Sequence, residues 1–362
     1  MKSSWVSKAG LLFFFALVLF SCSSGEDDYA EAPKVSPVQC DLSVVPYPKL
    51  SDYQFFDGEM KNLEPAYGLL PYKPTSELFS DYALKKRFVW MPKNTKATYV
   101  SDSEVLDLPV GAVLVKVFYY DHLLPDLTTK IIETRLMIRK SDGWIFAEYI
   151  WNDEQTEAYL QVQNTTRTLS LQQGAEVLNF TYKTPNTTQD CARCHGNIVT
   201  HKNAPIGIKP QNLNDSYNYI DGSHNQLTQW ISKGYLNATL PEQITSVVNY
   251  NDASQPLDLR IRSYFDANCA HCHKDQGEAQ EFGLRFEFKN TENPYNMGVG
   301  HPAHHPLPGY NGRLVYPNNP AQSILYYRLD TTTDLFYIMP AIGRTVKHRE
   351  GVQLVEDWIN SF

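Results

Sequence analysis

Residues 131–151 read IIETRLMIRKSDGWIFAEYIW. From Ile131 to Arg139 the side chains alternate. Ile132, Thr134, Leu136 and Ile138 fall on one face; Glu133, Arg135 and Arg139 fall on the other. That two-residue period is the mark of a half-buried strand. Asp142-Gly143 is a hairpin-type turn, and Trp144 to Trp151 reads as the returning strand. On either side of this hairpin, Gly111 to Tyr120 (GAVLVKVFYY) reads as a buried strand, and Ala158–Val162, Thr168–Leu171 and Glu176–Tyr182 continue the pattern. Upstream, Tyr47 to Tyr99 is rich in Pro and aromatics and has no clear period. The expectation for residues 46–183 is an antiparallel β-domain, a sandwich. Glu133, Asp153, Glu154 and His122 are the candidate acids and bases there. Their spacing is not diagnostic, and a solvated strand face with loops is expected for them.

Beyond Lys183 the text changes character. Cys191, Cys194 and His195 stand in DCARCHG, and Cys269, Cys272 and His273 stand in YFDANCAHCHK. Both are C-x-x-C-H, the attachment pattern of a c-type haem. Two thiols at this spacing each form a thioether to a haem vinyl group, and the adjacent His supplies the proximal nitrogen. Rival readings are a redox dithiol or one zinc site shared by the two pairs. Against them stand the His that both pairs carry and the long gap from Cys194 to Cys269. Two covalently bound haems c are therefore expected, with His195 and His273 on the metals.

Residues 184–250 form the first haem segment: the motif, a loop with Pro205, Gly207 and Pro210, then a helix from Asn225 to Lys233 stopped by Gly234. Residues 251–362 form a second cytochrome c-like domain. Leu259 to His271 runs as a helix into the motif, Ser323 to Leu329 is a short helix, and Glu350 to Ser361 closes the chain. Met339, in Ile338-Met339-Pro340, is assigned as the distal ligand of the second haem, because a c-type cytochrome places its thioether on such a Met-Pro before a terminal helix. The distal ligand of the first haem stays open among His201, His224, Met91, Met297, His301 and His305. His301, His304 and His305 read as a polar loop near a haem edge. The fold class expected is α+β and multidomain: an N-terminal β-domain followed by two mostly α-helical cytochrome c-like units.

The beginning of the chain has Lys2 and Lys8, an apolar stretch from Leu11 to Phe20, then Ser21 and Cys22. This is the form of a secretory signal over residues 1–22. Its end, Leu19-Phe20-Ser21-Cys22, resembles a bacterial lipobox, which implies acylation of Cys22. Residues 23–45 read as a flexible tether. The expected location is that of an exported lipoprotein, on the periplasmic side or in the outer membrane, anchored by lipid. A net charge of −8 over 362 residues argues against nucleic acid as a partner. Of six cysteines, Cys22 and the four motif residues are accounted for; Cys40 is left over, so no structural disulfide framework is expected.

From Leu78-Phe79-Ser80-Asp81 to the C-terminus the chain resembles the exported dihaem c-type cytochromes. The phrases that carry the likeness include Glu133-Thr134-Arg135-Leu136, both haem motifs, Gln211-Asn212-Leu213-Asn214, Arg313-Leu314-Val315-Tyr316-Pro317, Met339-Pro340 and Trp358-Ile359. The resemblance implies two covalent haems, export, and single-electron transfer at the cell envelope with a redox partner protein that it does not identify. The alternative is a dihaem peroxidase-like oxidoreductase whose first, low-potential haem is open. A third reading, a partner-binding β-domain with haem in a secondary role, has no direct support in the residues.

Overall fold

The computed structural model describes residues 34–362, of which Ser36–Phe362 cohere as one unit. Cys22, the signal and the first part of the tether lie outside the described residues. Eight strands pair antiparallel in one sheet: β1 (Leu70–Tyr72), β2 (Leu84–Trp90), β3 (Val113–Leu123), β4 (Thr128–Lys140), β5 (Gly143–Trp151), β6 (Ala158–Gln161), β7 (Thr166–Gln173) and β8 (Glu176–Lys183). The order is β1-β2-β3-β4-β5-β6, and the β7–β8 hairpin joins the end of β3 through Leu123 and Leu171. A two-stranded hairpin, β9 (Ser216–Tyr219) with β10 (Gly222–Asn225), forms a separate sheet. Short helices follow the large sheet: α1 (Asp190–His195), α2 (Pro210–Leu213), α3 (Gln226–Ser232), α4 (Leu257–Asn268), α5 (Ile324–Asp330) and α6 (Arg349–Ile359). Among the described residues no helix is long and apolar enough to cross a membrane.

The alternation decides which way the side chains from Glu133 onward face. A register shift between Phe118 and Tyr119 skips Ile132, so Ile131 joins Leu136 and Ile138. Ile132, expected on their face, packs with Phe118 in a separate core. Val113, Val115 and Val117 of β3, Leu136 and Ile138 of β4, and Ala147, Tyr149 and Trp151 of β5 pack with Val38, Val45, Leu50, Tyr53, Phe55 and Leu63. The N-terminal segment, including Val38 and Val45 of the expected tether, thus covers one sheet face. The opposite face carries Leu114 and Trp144, which pack with Ile208, Leu213, Leu227, Trp230 and Leu236 of the first motif segment. Burial of this kind is worth about 1.5–3 kcal/mol per large side chain.

Two expectations are overturned here. The β-part is a single sheet covered by irregular chain and short helices; it is not a sandwich of two sheets. The half after Lys183 is not a pair of helical cytochrome c-like units. Its longest described helices are α4 with 12 residues and α6 with 11, and loops and 3-10 turns connect the rest. Helices so short are marginal by themselves and take their stability from what they cover. The apolar stripe of α3 is committed to the sheet, where Trp230 meets Tyr72 edge-on with ring centroids 5.8 Å apart. Helices α4, α5 and α6 share a core: Ile261, Tyr264 and Phe265 pack with Ile324 and Leu325 and with Val352, Val355, Trp358 and Ile359.

Candidate functional site

The two C-x-x-C-H motifs are remote in sequence, yet they meet. The first occupies α1. The second is the turn into which α4 runs out, with Cys269 N donating to Phe265 O at 2.9 Å and His273 N donating to Cys269 O at 3.0 Å. Cross-links join the two turns. Arg193 Nε donates to Glu278 Oε1 at 2.7 Å, Asn197 Nδ2 to Gln276 Oε1 at 2.5 Å, and Ile198 N to Gln276 O at 3.0 Å. Cys272 Sγ lies 3.6 Å from the Arg193 carbonyl oxygen. Cys194 Sγ, Cys272 Sγ and a ring nitrogen of His271 all lie within 4.8 Å of one another. Each turn is followed by a glycine whose place no larger residue can take: a Cβ on Gly196 would strike the Ala192 carbonyl, and one on Gly277 the Cys272 carbonyl.

The sulfurs differ in character. The hydrogen bond from Cys194 outweighs burial at the Cys272 thiol and, with help from His271, holds it down to about 5; Cys194 is pushed up in return. Burial raises Cys191 to about 11 and raises Cys269 further. Both motif imidazoles are kept neutral by burial, His195 at about 3 and His273 at about 4. His195 Nδ1 lies 2.8 Å from the Ala204 carbonyl oxygen. As a neutral ring it donates from Nδ1 and presents the lone pair of Nε2, the tautomer that a metal-ligating His requires. His273 packs edge-on against Phe286, with centroids 5.3 Å apart, and its Nδ1 is buried with no partner. A neutral imidazole in an apolar wall has the donor chemistry of a metal ligand, although His273 lacks the carbonyl partner that fixes the tautomer of His195. The cysteine pairs and the two neutral imidazoles therefore fit two haems c.

The sheet adds residues that the sequence reading passed over. Arg87, Lys116, Arg135 and Glu148 stand side by side in register across β2, β3, β4 and β5. They share the face that carries Phe146, whose ring centroid is 5.2 Å from that of His195. Lys116 and Arg135 both lie over the ring of Phe118, at 4.8 and 4.4 Å from its centroid. Glu133 is completely buried, pairs with Arg135 at 2.5 Å, and accepts a hydrogen bond from Tyr182. The expectation of a solvated Glu133 is corrected accordingly; Asp153 and Glu154 are exposed in a turn, and His122 is exposed near the end of β3. Glu148 is 1% exposed, and neither of its oxygens makes a hydrogen bond of normal geometry. Burial, then the neighbouring Glu133, raises its carboxyl to about 10, so Glu148 is a neutral acid near pH 7 while Glu133 stays ionised against Arg135. Strand alternation alone places these residues on one face; that the face is covered is a tertiary fact, and no spacing in the sequence reports it.

The remaining candidates scatter. Met339 lies on the loop after α5, its N–H donating to Arg328 O at 2.9 Å, and its side chain packs against the same core as Cys269. Met91 and Met297 are buried in separate cores. His201 is exposed at the rim of a cleft lined by Ala192, Arg193, Gly196 and Glu278, and His224 is exposed on the β9–β10 hairpin. His304 and His305 approach Phe282, at 5.3 and 6.2 Å between ring centroids, and Phe282 meets His273 at 6.5 Å. His301 is buried and faces the Pro302 carbonyl instead. Cys40 is half-buried against the N-terminal core, which pushes its thiol up to about 11. No protein-family model, no curated protein and no solved structure matches this chain.

Proposed function

We infer that this chain is a dihaem c-type cytochrome whose two haems act as one electron-transfer centre. The observation that carries the reading is the meeting of the two motifs: the second cysteine of each lies within 4.8 Å of the other, and each motif has a neutral imidazole to offer. Cys191, Cys194 and His195 would hold one haem; Cys269, Cys272, His273 and Met339 would hold the other. When bound, the haems supply reversible one-electron chemistry. The chain's own part is to fix the imidazole tautomer at His195 through Ala204, to exclude water from His273 with Phe282 and Phe286, and to join the two attachment turns. Attachment points so close leave little protein between the groups, which favours exchange of electrons between them.

The anchoring of this centre at the envelope through an acylated Cys22 belongs to the same proposal. Labelled palmitate should enter the wild-type chain and not Cys22→Ala; equal labelling of both would remove the anchor.

One observation favours a second reading. Cys194, Cys272 and His271 are gathered closely enough to share a zinc ion. That reading leaves Cys191, Cys269, His195 and His273 without a task. A redox titration of the purified full chain, made in a host that matures cytochromes, separates the two. The dihaem reading predicts the absorption of low-spin haem c and two one-electron steps. A colourless protein that contains one zinc per chain would establish the other.

A further inference from the structure

We propose that Glu148 is the proton-carrying residue of the first haem site: its carboxyl releases a proton when the haem held at Cys191 and Cys194 is oxidised and takes one up when that haem is reduced. The inference rests on the dihaem reading and gives a task to a buried acid that lies far from either motif in sequence.

Two carboxyl groups share one guanidinium here. Arg135 Nη2 lies 2.5 Å from Glu133 Oε1, and Arg135 Nε lies 3.9 Å from Glu148 Oε1. Both acids are buried, and two acids in one dry site do not both ionise against a single cation. Glu133 has the closer contact and also accepts from Tyr182, so Glu133 is the ionised member. Glu148 is the protonated one, and burial followed by Glu133 raises its carboxyl to about 10. The other groups around the face leave this unchanged. Arg87 is matched by Glu77 at 2.7 Å. Burial, then Arg87 and Lys85, disfavours the charged form of Lys116, and burial draws Lys85 down to about 7. Burial also keeps Tyr182 neutral. The fixed charges are thus matched in pairs, and Glu148 is the acid free to answer a change of charge beside it.

That change would come from the first motif. Phe146, two residues before Glu148 on β5 and on the same face, meets the His195 ring at 5.2 Å between centroids. Arg135, Glu148 and Glu133 are near enough to Cys191 to act on its thiol. Oxidation of a haem bonded there adds one positive charge, which favours the carboxylate form of a neighbouring acid and acts more strongly across protein than across water. The second motif has no such neighbour: the groups that act on His273 are His271, Arg328 and Arg285.

A route leads the proton outward. The Thr184 hydroxyl is close enough to act on the Glu148 carboxyl and lies 3.3 Å from the Thr165 hydroxyl. Thr184 is buried and Thr165 is half-buried. Each hydroxyl can accept one proton and donate another. On oxidation the electron leaves to the redox partner, the O–H bond of Glu148 breaks, and the proton passes through Thr184 and Thr165 to water. Reduction reverses each step.

The test is a spectroelectrochemical titration of the haem-loaded full chain at a series of pH values up to about 10, with Glu148→Gln beside the wild type. In the wild type the midpoint potential of one haem should fall as pH rises, because the ionised acid favours the oxidised state. The limit for one proton per electron is about 59 mV per tenfold change in proton activity. In Glu148→Gln that dependence should vanish, while the other haem behaves alike in both proteins. A dependence that persists in Glu148→Gln would assign the proton to another group, such as Lys116, and overturn the proposal. Wild-type potentials that ignore pH would overturn it as well. A second arm needs no variant: the reduced-minus-oxidised infrared spectrum of the wild type should gain a protonated-carboxyl C=O band on reduction, shifted in heavy water. Absence of that band would overturn the assignment even if Glu148→Gln did not fold. Failure of the dihaem reading itself is told apart by the absence of colour in the wild type.

Discussion

The two motifs carry the same letters and sit in opposite surroundings. His195 has its Nδ1 committed to the Ala204 carbonyl and looks towards a sheet face bearing Lys116, Arg135 and Glu148. His273 has its Nδ1 unpaired and lies between phenylalanines, beside a core that includes Cys269 and Met339. A c-type haem takes its potential from axial ligand, hydrogen bonding and burial. One attachment motif would thus serve two differently tuned sites. The tuning comes from elements outside the motif: a sheet for the first, and short helices and loops for the second.

This contrast breaks most visibly at the cysteines. The double variant Cys191→Ala/Cys194→Ala should lose one haem and keep the other, and Cys269→Ala/Cys272→Ala should do the reverse. Haemochrome absorbance should fall to about half in each, one attachment motif of two being lost; loss of all colour from either one would show that the sites are not separately loaded. Next in size is Met339→Ala. Thioether ligation favours reduced iron, so the second haem's potential should drop by a large margin while the first stays nearly unchanged. Equal shifts in both haems, or none, would show that Met339 is not the ligand.

A smaller effect sharpens the first site alone. Glu148 holds its proton in the folded chain up to about pH 10, whereas the unfolded chain releases it near the ordinary carboxylate pKa of about 4.3. Between these values the folded state binds the extra proton, so this group's contribution to stability is fully present below the unfolded value and is lost as pH rises through the window. Glu148→Gln removes that slope. The variant should gain on the wild type as pH rises, by at most about 1.4 kcal/mol per pH unit. Groups that titrate alike in both proteins cancel in the difference. Chemical denaturation of both proteins at a series of pH values checks it, and parallel curves would mean that Glu148 is ionised in the folded state.

How far the sequence could lead differs between the same two regions. The hairpin over 131–151 is legible because alternation and an Asp-Gly turn are local signals, and the strands lie where those signals are. Strands β1 and β2 are hidden because Leu70–Tyr72 is short and Leu84–Trp90 has Lys85, Lys86 and Arg87 in a row, which masks the period. The helical stripes of residues 225–233 and 350–361 are visible, but not what they cover; Trp230 faces a sheet instead of closing a small helical unit. The motifs announce a chemistry through spacing alone. Their meeting does not show in the sequence, because Arg193–Glu278 and Asn197–Gln276 are contacts between distant turns. The cation row is invisible for the same reason: each member is an ordinary strand residue until neighbouring strands align it.

Tetrapyrrole bonded at Cys191, Cys194, Cys269 and Cys272 is the central claim. The most direct measurement is the intact mass of the wild-type chain from a cytochrome-maturing host, taken under denaturing conditions and paired with its pyridine haemochrome spectrum. The expected result is a chain heavier by two haem groups that survive denaturation, with absorbance corresponding to two haems c per polypeptide. A colourless chain, with no mass beyond its amino acids and lipid, would contradict it.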